Sequence, residues 1–294
     1  MQLAKQNIDV IIVSFKSDSV LFNCIKSIDK DIQIIVVDNA ADKNLKKKLQ
    51  KYKNIQYFKS NKNLGMGAGN NIGILKSKKD YNFIINPDVI LKKNTIKNLI
   101  TAIKKIKDFG VIAPVLDDKN NPNYQLLDNM NNNLSKKNYT EVKCVDGFAM
   151  LINKKKLKKI KSFNFFDESF FMYLENDDLC KRIKNRNEKI YIVPSCKIKH
   201  LGAQAVSKNL YREVELSRNW HWSWSKFYFS KKYHGYIYSL LKVLPKFLSS
   251  LIKGIFYLLI FKEFESKIYF NRAFGFFNGI LGKPSWYRPK LDLD

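Results

Sequence analysis

The sequence predicts an α/β protein, a parallel sheet with helices on both faces, followed by a region of amphipathic helices. Three observations carry this. Short β-branched runs alternate with helical stretches through the first half of the chain. Two of the runs contain "VIIV" and "IIVV", apolar throughout, as strands covered on both faces are. The composition then changes after about residue 210, where aromatic, aliphatic and lysine residues crowd together and no acid occurs from Asn219 to Phe261.

The strands are "IDVIIVSF" (8–15), "IQIIVVD" (32–38), "IQYF" (55–58) and "YNFIIN" (81–86). Helices fall at about 18–29, 42–52, 67–78 and 92–107, with connections of a few residues, as such units require. From 117 to 141 the chain is rich in Asn and Lys and poor in large apolar residues, which predicts a surface excursion; "VKCVDGFAMLIN" (142–153) returns to the sheet. A helix from Glu175 to about Arg186 follows, then "KIYIVP" (189–194) and "CKIKHLG" (196–202) as two final strands. This places one domain at 1–210 and a second, basic and aromatic, at 211–294. In the latter, Lys242, Lys246 and Lys253 recur at roughly helical spacing among Leu, Ile and Phe, the pattern of a helix lying on anionic lipid. A helix that merely covers the first domain is the alternative, since lysine stems also pack on apolar surface.

With 45% apolar and 14% aromatic residues in 294, the chain is not a disordered one. Its formal charge of +27 is almost all lysine, the arginines being confined to the second half, and the frequent Lys, Asn and Ile resemble the usage of an AT-rich genome. Lysine in excess points to an anionic partner. A nucleic-acid-binding protein would need a basic stripe interleaved with stacking aromatics, whereas these lysines are dispersed, so no nucleic acid is expected. The cysteines Cys24, Cys144, Cys180 and Cys196 show no C-x-x-C pair and no histidine at zinc spacing, and are expected to be buried thiols in a reducing cytoplasm. Neither a targeting segment nor a clean transmembrane run is visible.

Several motifs end strands, where open α/β sheets place their ligands. The stretch "NKNLGMGAGNN" (61–71) suggests a dinucleotide fingerprint, but its third glycine position falls on Asn70, with Gly69 one residue early. Asp38 and Asn39 end the second strand and could meet a base or ribose, or cap a helix. In "INPDV", Asp88 could hold a hard divalent cation that also binds a diphosphate, although Asn-Pro-Asp is also ordinary turn chemistry. Glu175, Asp177 and Asp178 crowd a helix start, more acid than capping requires; their mutual repulsion suits a general base. Arg182, one turn on, could hold Asp178 ionised. His200, beside a glycine turn at a strand end, would complete with Asp88 a nitrogen-plus-oxygen set for Mn²⁺ or Mg²⁺.

Taken in order, "VSFKSDSVLFNCIKSI", "IIVVDNAA", "NKNLGMGAGNNIGI", "FIINPDVIL", "VDGFAMLINKKKL", "FDESFFMYLENDDLCKRI" and "KHLGA" resemble the family 2 glycosyltransferases of the GT-A fold, and more narrowly their rhamnosyltransferase-like branch. The resemblance covers residues 8 to 205. It implies a single Rossmann-like mixed sheet with helices on both faces. It further implies inverting transfer from a nucleoside-diphosphate sugar, dTDP-rhamnose or a UDP-sugar, to a polyprenyl-diphosphate-linked glycan of a bacterial surface polysaccharide. The enzyme would lie peripherally on the inner face of the plasma membrane.

Carried onto this chain, the family pattern assigns the nucleotide base to Val13, Ser14, Phe15 and Asp38. The sugar falls to Asn63, Gly65, Gly69 and Asn70. Asp88 takes the metal and Asn86 stands as its neutral neighbour, while Asp146 and Gly147 border the acceptor. The family's Glu-Asp-x-Asp has its presumed base at the first Asp, where this chain has Asn176. An amide takes no proton, so the base falls to Glu175 or Asp177, with Asp178 matching the second Asp. A catalytically inactive scaffold is the competing expectation.

Overall fold

A computed structural model describes residues 7–118, 120–127, 138–202 and 210–289. The chain forms two compact units, Met1–Asp167 with Asn176–Val206, and Glu168–Glu175 with Ser207–Asp294.

The first unit is built on strands β1 (Ile8–Ser14), β2 (Gln33–Asp38), β3 (Ile55–Lys59) and β4 (Tyr81–Ile85), joined in parallel in the order β3-β2-β1-β4. Between them run α1 (Asp18–Lys26), α2 (Lys43–Leu49) and α3 (Met66–Lys76). Every residue of β1 is buried, as its unbroken apolar run predicts. Alternate residues feed two cores: Val10, Ile12, Val36 and Phe83 on one face, Ile11, Val13, Val37 and Ile84 on the other.

Beyond β4 the sheet becomes mixed, as the resemblance implies, while the parallel pairing read from the strand pattern holds for β1 to β4. β5 (Val89–Leu91), α4 (Thr95–Ile106) and β6 (Val111–Leu116) follow, then short β7 (Tyr124–Gln125), β8 (Thr140–Glu141) and β9 (Cys144–Val145), and β10 (Ala149–Asn153). After α5 (Lys154–Leu157) and α6 (Glu175–Lys184) comes β11 (Ile190–His200). β10 runs antiparallel to both β4 and β6, while β11 lies parallel to β6 and antiparallel to β5 and β8. The two final strands read from the sequence are one, bent by a register shift between Val193 and Lys197, where Pro194 has no N–H to give the ladder. β6 escapes the sequence reading because Pro114 interrupts it. Pro114 sits beyond the last residue pair with β10, where its missing N–H costs that ladder nothing. Part of the excursion at 117–141 lies outside the described residues.

The glycines of α3 have a packing reason. A Cβ on Gly73 would sit 2.4 Å from Cγ2 of Ile11, and one on Gly69 2.8 Å from Cγ1 of Val13, so only bare backbone lets α3 approach β1 this closely.

The second unit consists of α7 (Tyr211–His234), α8 (Tyr236–Leu259) and α9 (Glu263–Ile280), with Gly235 at φ 83° turning the chain between the first two. Gly275 lets α9 close on α7, since a Cβ there would lie 2.2 Å from the carbonyl oxygen of Trp220. Trp220, Trp224 and Phe170 form one small core, and Phe227, Val243 and Phe276 another. Among the described residues no helix is long and apolar enough to cross a membrane.

Candidate functional site

At the ends of β1 and β2 the Asp38 carboxylate is fully buried. It accepts hydrogen bonds from the backbone N–H of Ala40 (2.9 Å) and Asp42 (2.7 Å) and from the Tyr57 hydroxyl (2.7 Å). It therefore organises its own loop, with little acceptor capacity left. Burial, and then Asp38 itself, push the Tyr57 phenol above the usual tyrosine range. Asn39 ties this loop to the glycine-rich segment: its amide donates to the carbonyl of Gly65 (2.9 Å) and its oxygen accepts from Ser60 (3.1 Å). Gly65 stands at φ 86° ahead of α3, with its N–H on the Asn63 side-chain oxygen (3.1 Å). Phe15 is half-buried, and its N–H donates to the Ser17 hydroxyl.

Two polar atoms here stand out. The Ser14 hydroxyl and the side-chain oxygen of Asn70 are buried and find no hydrogen-bond partner. Each such group costs on the order of 1–3 kcal/mol unless something else satisfies it. Gly69 is buried against Val13 and Asn39, which leave no room for a Cβ there. Asn71, which sequence reasoning passed over, clamps a loop by donating to the carbonyl of Phe166 (2.9 Å) and accepting from its N–H (3.0 Å).

Asp88 follows β4 through Asn86 and Pro87 and is 2% exposed. Asn86 is half-buried, its N–H on the Phe148 carbonyl (2.9 Å). The antiparallel pairing of β5 with β11 sets His200 opposite Val89 and brings its Nε2 to 3.3 Å from Oδ1 of Asp88. That oxygen has no hydrogen-bond donor in spite of its burial. Phe148 stacks on the imidazole with ring centroids 4.1 Å apart, which fixes its plane. A buried carboxylate oxygen without a donor beside an imidazole nitrogen fits a hard or borderline divalent cation. Among the described residues no group of three His, Cys, Asp or Glu could hold a metal ion, so the remaining ligands of an ion here would be substrate oxygens or water.

The acidic motif separates into distinct environments. Two consecutive non-glycine residues, Tyr173 and Leu174, adopt left-handed backbone just before α6, at φ 69° and 64°. Such residues cost about 1–2 kcal/mol each. The Tyr173 hydroxyl is held by Nε of Arg218 at 2.8 Å. Glu175 belongs to the second unit and Asn176 to the first. The amide of Asn176 donates to the carbonyl of Val145 (3.0 Å), and its Cβ packs where a Cβ on Gly147 would come within 3.1 Å. This residue joins α6 to β9 and leaves proton chemistry to others.

Asp178 is fully buried and paired with Nε of Arg182 at 2.7 Å, while the same guanidinium donates to the carbonyls of Asn164 and Phe165. The pairing with Arg182 is the one expected from the sequence, and through it the Asp178 carboxylate holds a loop. Asp177 is only partly buried, with the Cys144 thiol 3.8 Å from its Oδ1, and burial raises its pKa above the ordinary aspartate value. The Asp146 carboxyl is raised by burial first and by the charge of Asp177 second, with His200 opposing. Asp146 thus lies within electrostatic reach of both Asp177 and His200. Asp146 was legible only as an acid beside a glycine, because its companions arrive from α6 and β11. The four cysteines are buried and free.

Comparison with known proteins bears on the family and the fold. The chain is 27% identical over 207 residues to the low-salt glycan biosynthesis hexosyltransferase Agl10 of Haloferax volcanii, an alignment covering 64% of this chain and 65% of that one. It thus spans just under two thirds of that relative. It is 26% identical over 218 residues to the rhamnosyltransferase WbbL of Escherichia coli, covering 63% and 80%. Among solved structures, the mannosyltransferase PcManGT of Pyrobaculum calidifontis, in complex with GDP-Man and Mn²⁺, superposes with a TM-score of 0.54 over 94% of this chain and 88% of that one at 12% identity, a likeness of fold. The family model for glycosyl transferase family 2 matches residues 9–174, more than half of the chain, which therefore belongs to that family and has the GT-A fold.

Proposed function

We propose that this chain transfers a rhamnose-type hexosyl residue from a nucleoside-diphosphate sugar, dTDP-rhamnose or a UDP-sugar, to a hydroxyl of a polyprenyl-diphosphate-linked glycan, with inversion at the anomeric carbon. The observation that carries it is the Asp88–His200 pair, a buried carboxylate oxygen with no donor facing an imidazole nitrogen 3.3 Å away, with the Asp146 and Asp177 carboxyls in electrostatic reach of His200 or of each other.

In this reading Val13, Ser14, Phe15 and the Asp38 loop receive the nucleotide base. The Ser14 hydroxyl and the Asn70 oxygen supply acceptors that the fold leaves unused. Asn63 and Gly65 shape the turn beside the sugar, and Asn86 borders the diphosphate. Asp88 and His200 hold Mg²⁺ or Mn²⁺, which when bound supplies positive charge for the leaving diphosphate. Asp177 is the base: the acceptor oxygen attacks the anomeric carbon as the bond to the diphosphate breaks, and its proton passes to the Asp177 carboxylate. Residues 1–210 act as the catalytic domain and 211–294 hold the enzyme peripherally on the anionic inner face of the plasma membrane.

A panel of nucleotide sugars, assayed for release of the nucleoside diphosphate with and without Mn²⁺, tests this. Metal-dependent release from one donor is expected. Asn176 at the family's base position favours a second reading, an inactive scaffold, and absence of release from every donor would establish that instead.

A further inference from the structure

The segment ahead of α6 lies along one stripe of α7. Phe170 is fully buried, its ring edge-on to Trp224 and to Tyr228 with centroids 6.5 and 4.9 Å away. Phe171 packs on the imidazole of His221, 4.4 Å between centroids, and on the guanidinium carbon of Arg288, 3.7 Å from its own centroid. His221 is fixed in turn by the Tyr287 carbonyl at Nε2 (2.8 Å) and the Ser285 hydroxyl at Nδ1 (2.9 Å). The carbonyl of Met172 accepts from the Ser225 hydroxyl (2.8 Å), and the hydroxyl of Tyr173 accepts from Nε of Arg218 (2.8 Å). Arg218, His221, Ser225 and Tyr228 stand at i, i+3, i+7 and i+10, positions that a helix brings to one face. Phe170, Phe171, Met172 and Tyr173 are thus gripped one after another, and every residue of this grip belongs to the second unit.

What the grip secures is a costly backbone. Tyr173 and Leu174 are consecutive left-handed residues, neither of them Gly or Asn. Side chains of this size rarely take up that region, so the turn persists only where its surroundings over-determine it. The last of the anchors holds Tyr173, and α6 begins two residues later and runs unbroken from Glu175 to Lys184. The turn therefore sets how the helix that carries Asp177 starts. Arg218 is itself oriented by Glu215, whose Oε2 lies 3.4 Å from its Nη1. A unit that served attachment alone would need no hold on this segment.

We propose that Arg218 is a positioning residue for the transfer reaction: its hydrogen bond to Tyr173 keeps the Tyr173–Leu174 turn left-handed and so holds the first turn of α6, and with it Asp177, in place. The inference rests on the glycosyltransferase reading for what Asp177 does, while the hold on the turn is read from the second unit alone.

The test uses the full chain and the donor from which it releases nucleoside diphosphate. Arg218→Gln should lower kcat about 10- to 100-fold, the scale on which small misplacements act, while donor KM stays within about twofold. Tyr173→Phe keeps the ring against Trp222 and loses only the hydroxyl; it should lower kcat in the same direction, and it serves where Arg218→Gln disturbs folding, as judged by circular dichroism. Adding Leu174→Asn or Leu174→Gly to Arg218→Gln should recover kcat about fivefold or more, because these residues take up left-handed backbone without being held there. A residue needed only for the folding of the second unit would not be rescued in this way. Unchanged kcat in both single variants, or a loss that neither change at Leu174 recovers, would overturn the inference. If no donor is turned over, amide hydrogen exchange over residues 172–180 decides. Faster exchange there in Arg218→Gln, with that of α8 unchanged, would keep the hold on the turn and sink the transferase reading; unchanged exchange would sink both.

Discussion

Asp177 and Asp178 are neighbours on α6 with opposite surroundings, and the difference assigns them separate tasks. Asp178 is sealed and ion-paired to Arg182, which is itself 22% exposed. Asp178→Asn should therefore cost about 2–4 kcal/mol in a urea unfolding curve, somewhat below the loss from breaking a fully buried pair. Asp177→Asn should leave stability and donor KM near wild type while kcat falls roughly 10²–10⁴-fold. As the proposed base, Asp177 would work ionised, and burial raises its pKa, so the rate should fall as pH drops through a value above that of ordinary aspartate. A kcat/KM profile with its acid limb at or below the ordinary aspartate value would contradict this. Asn176 shows the same logic in reverse: an amide can donate to the Val145 carbonyl, which an ionised carboxylate cannot.

At the scale of elements, α3 decides how the donor side is built. Its glycines suggest a phosphate turn, yet Gly69 and Gly73 serve the contact with Val13 and Ile11. Gly73→Ala should destabilise by about 1–3 kcal/mol in the same unfolding measurement, because the intruding methyl forces α3 off β1. Donor KM should rise with it, since Asn70 rides on that helix. The strand reading succeeded for β1 to β4, where apolar runs are continuous. It missed β6 and divided β11, because a proline within a strand is tolerated only where the ladder has already ended or shifted register, and that depends on the partner strand.

For the whole molecule the dominant fact is charge. Lysines on α8 alternate with exposed apolar side chains, so attachment to a membrane would combine a screened and an unscreened contribution. Binding to phosphatidylglycerol vesicles should weaken several-fold as salt rises from low to physiological strength, and should leave a residue that Ile252→Asn with Ile255→Asn removes, as a flotation assay would measure. Salt-independent binding would show that charge plays no part.

The sequence by itself determined the fold class, the family and the ordered motifs, because these depend on local periodicity and on residues fixed at strand ends. It also brought Asp88 and His200 together as a nitrogen-plus-oxygen pair on chemical grounds. Only the tertiary structure separated the surroundings of these acids. What lies opposite each carboxylate differs: Arg182, itself held by two carbonyls, for Asp178, and Asp146 with a buried thiol for Asp177. The close approach of α9 to α7 and α8 is likewise invisible along the chain, since Gly275 meets the Trp220 carbonyl and Gly254 the Phe270 ring only in the folded unit.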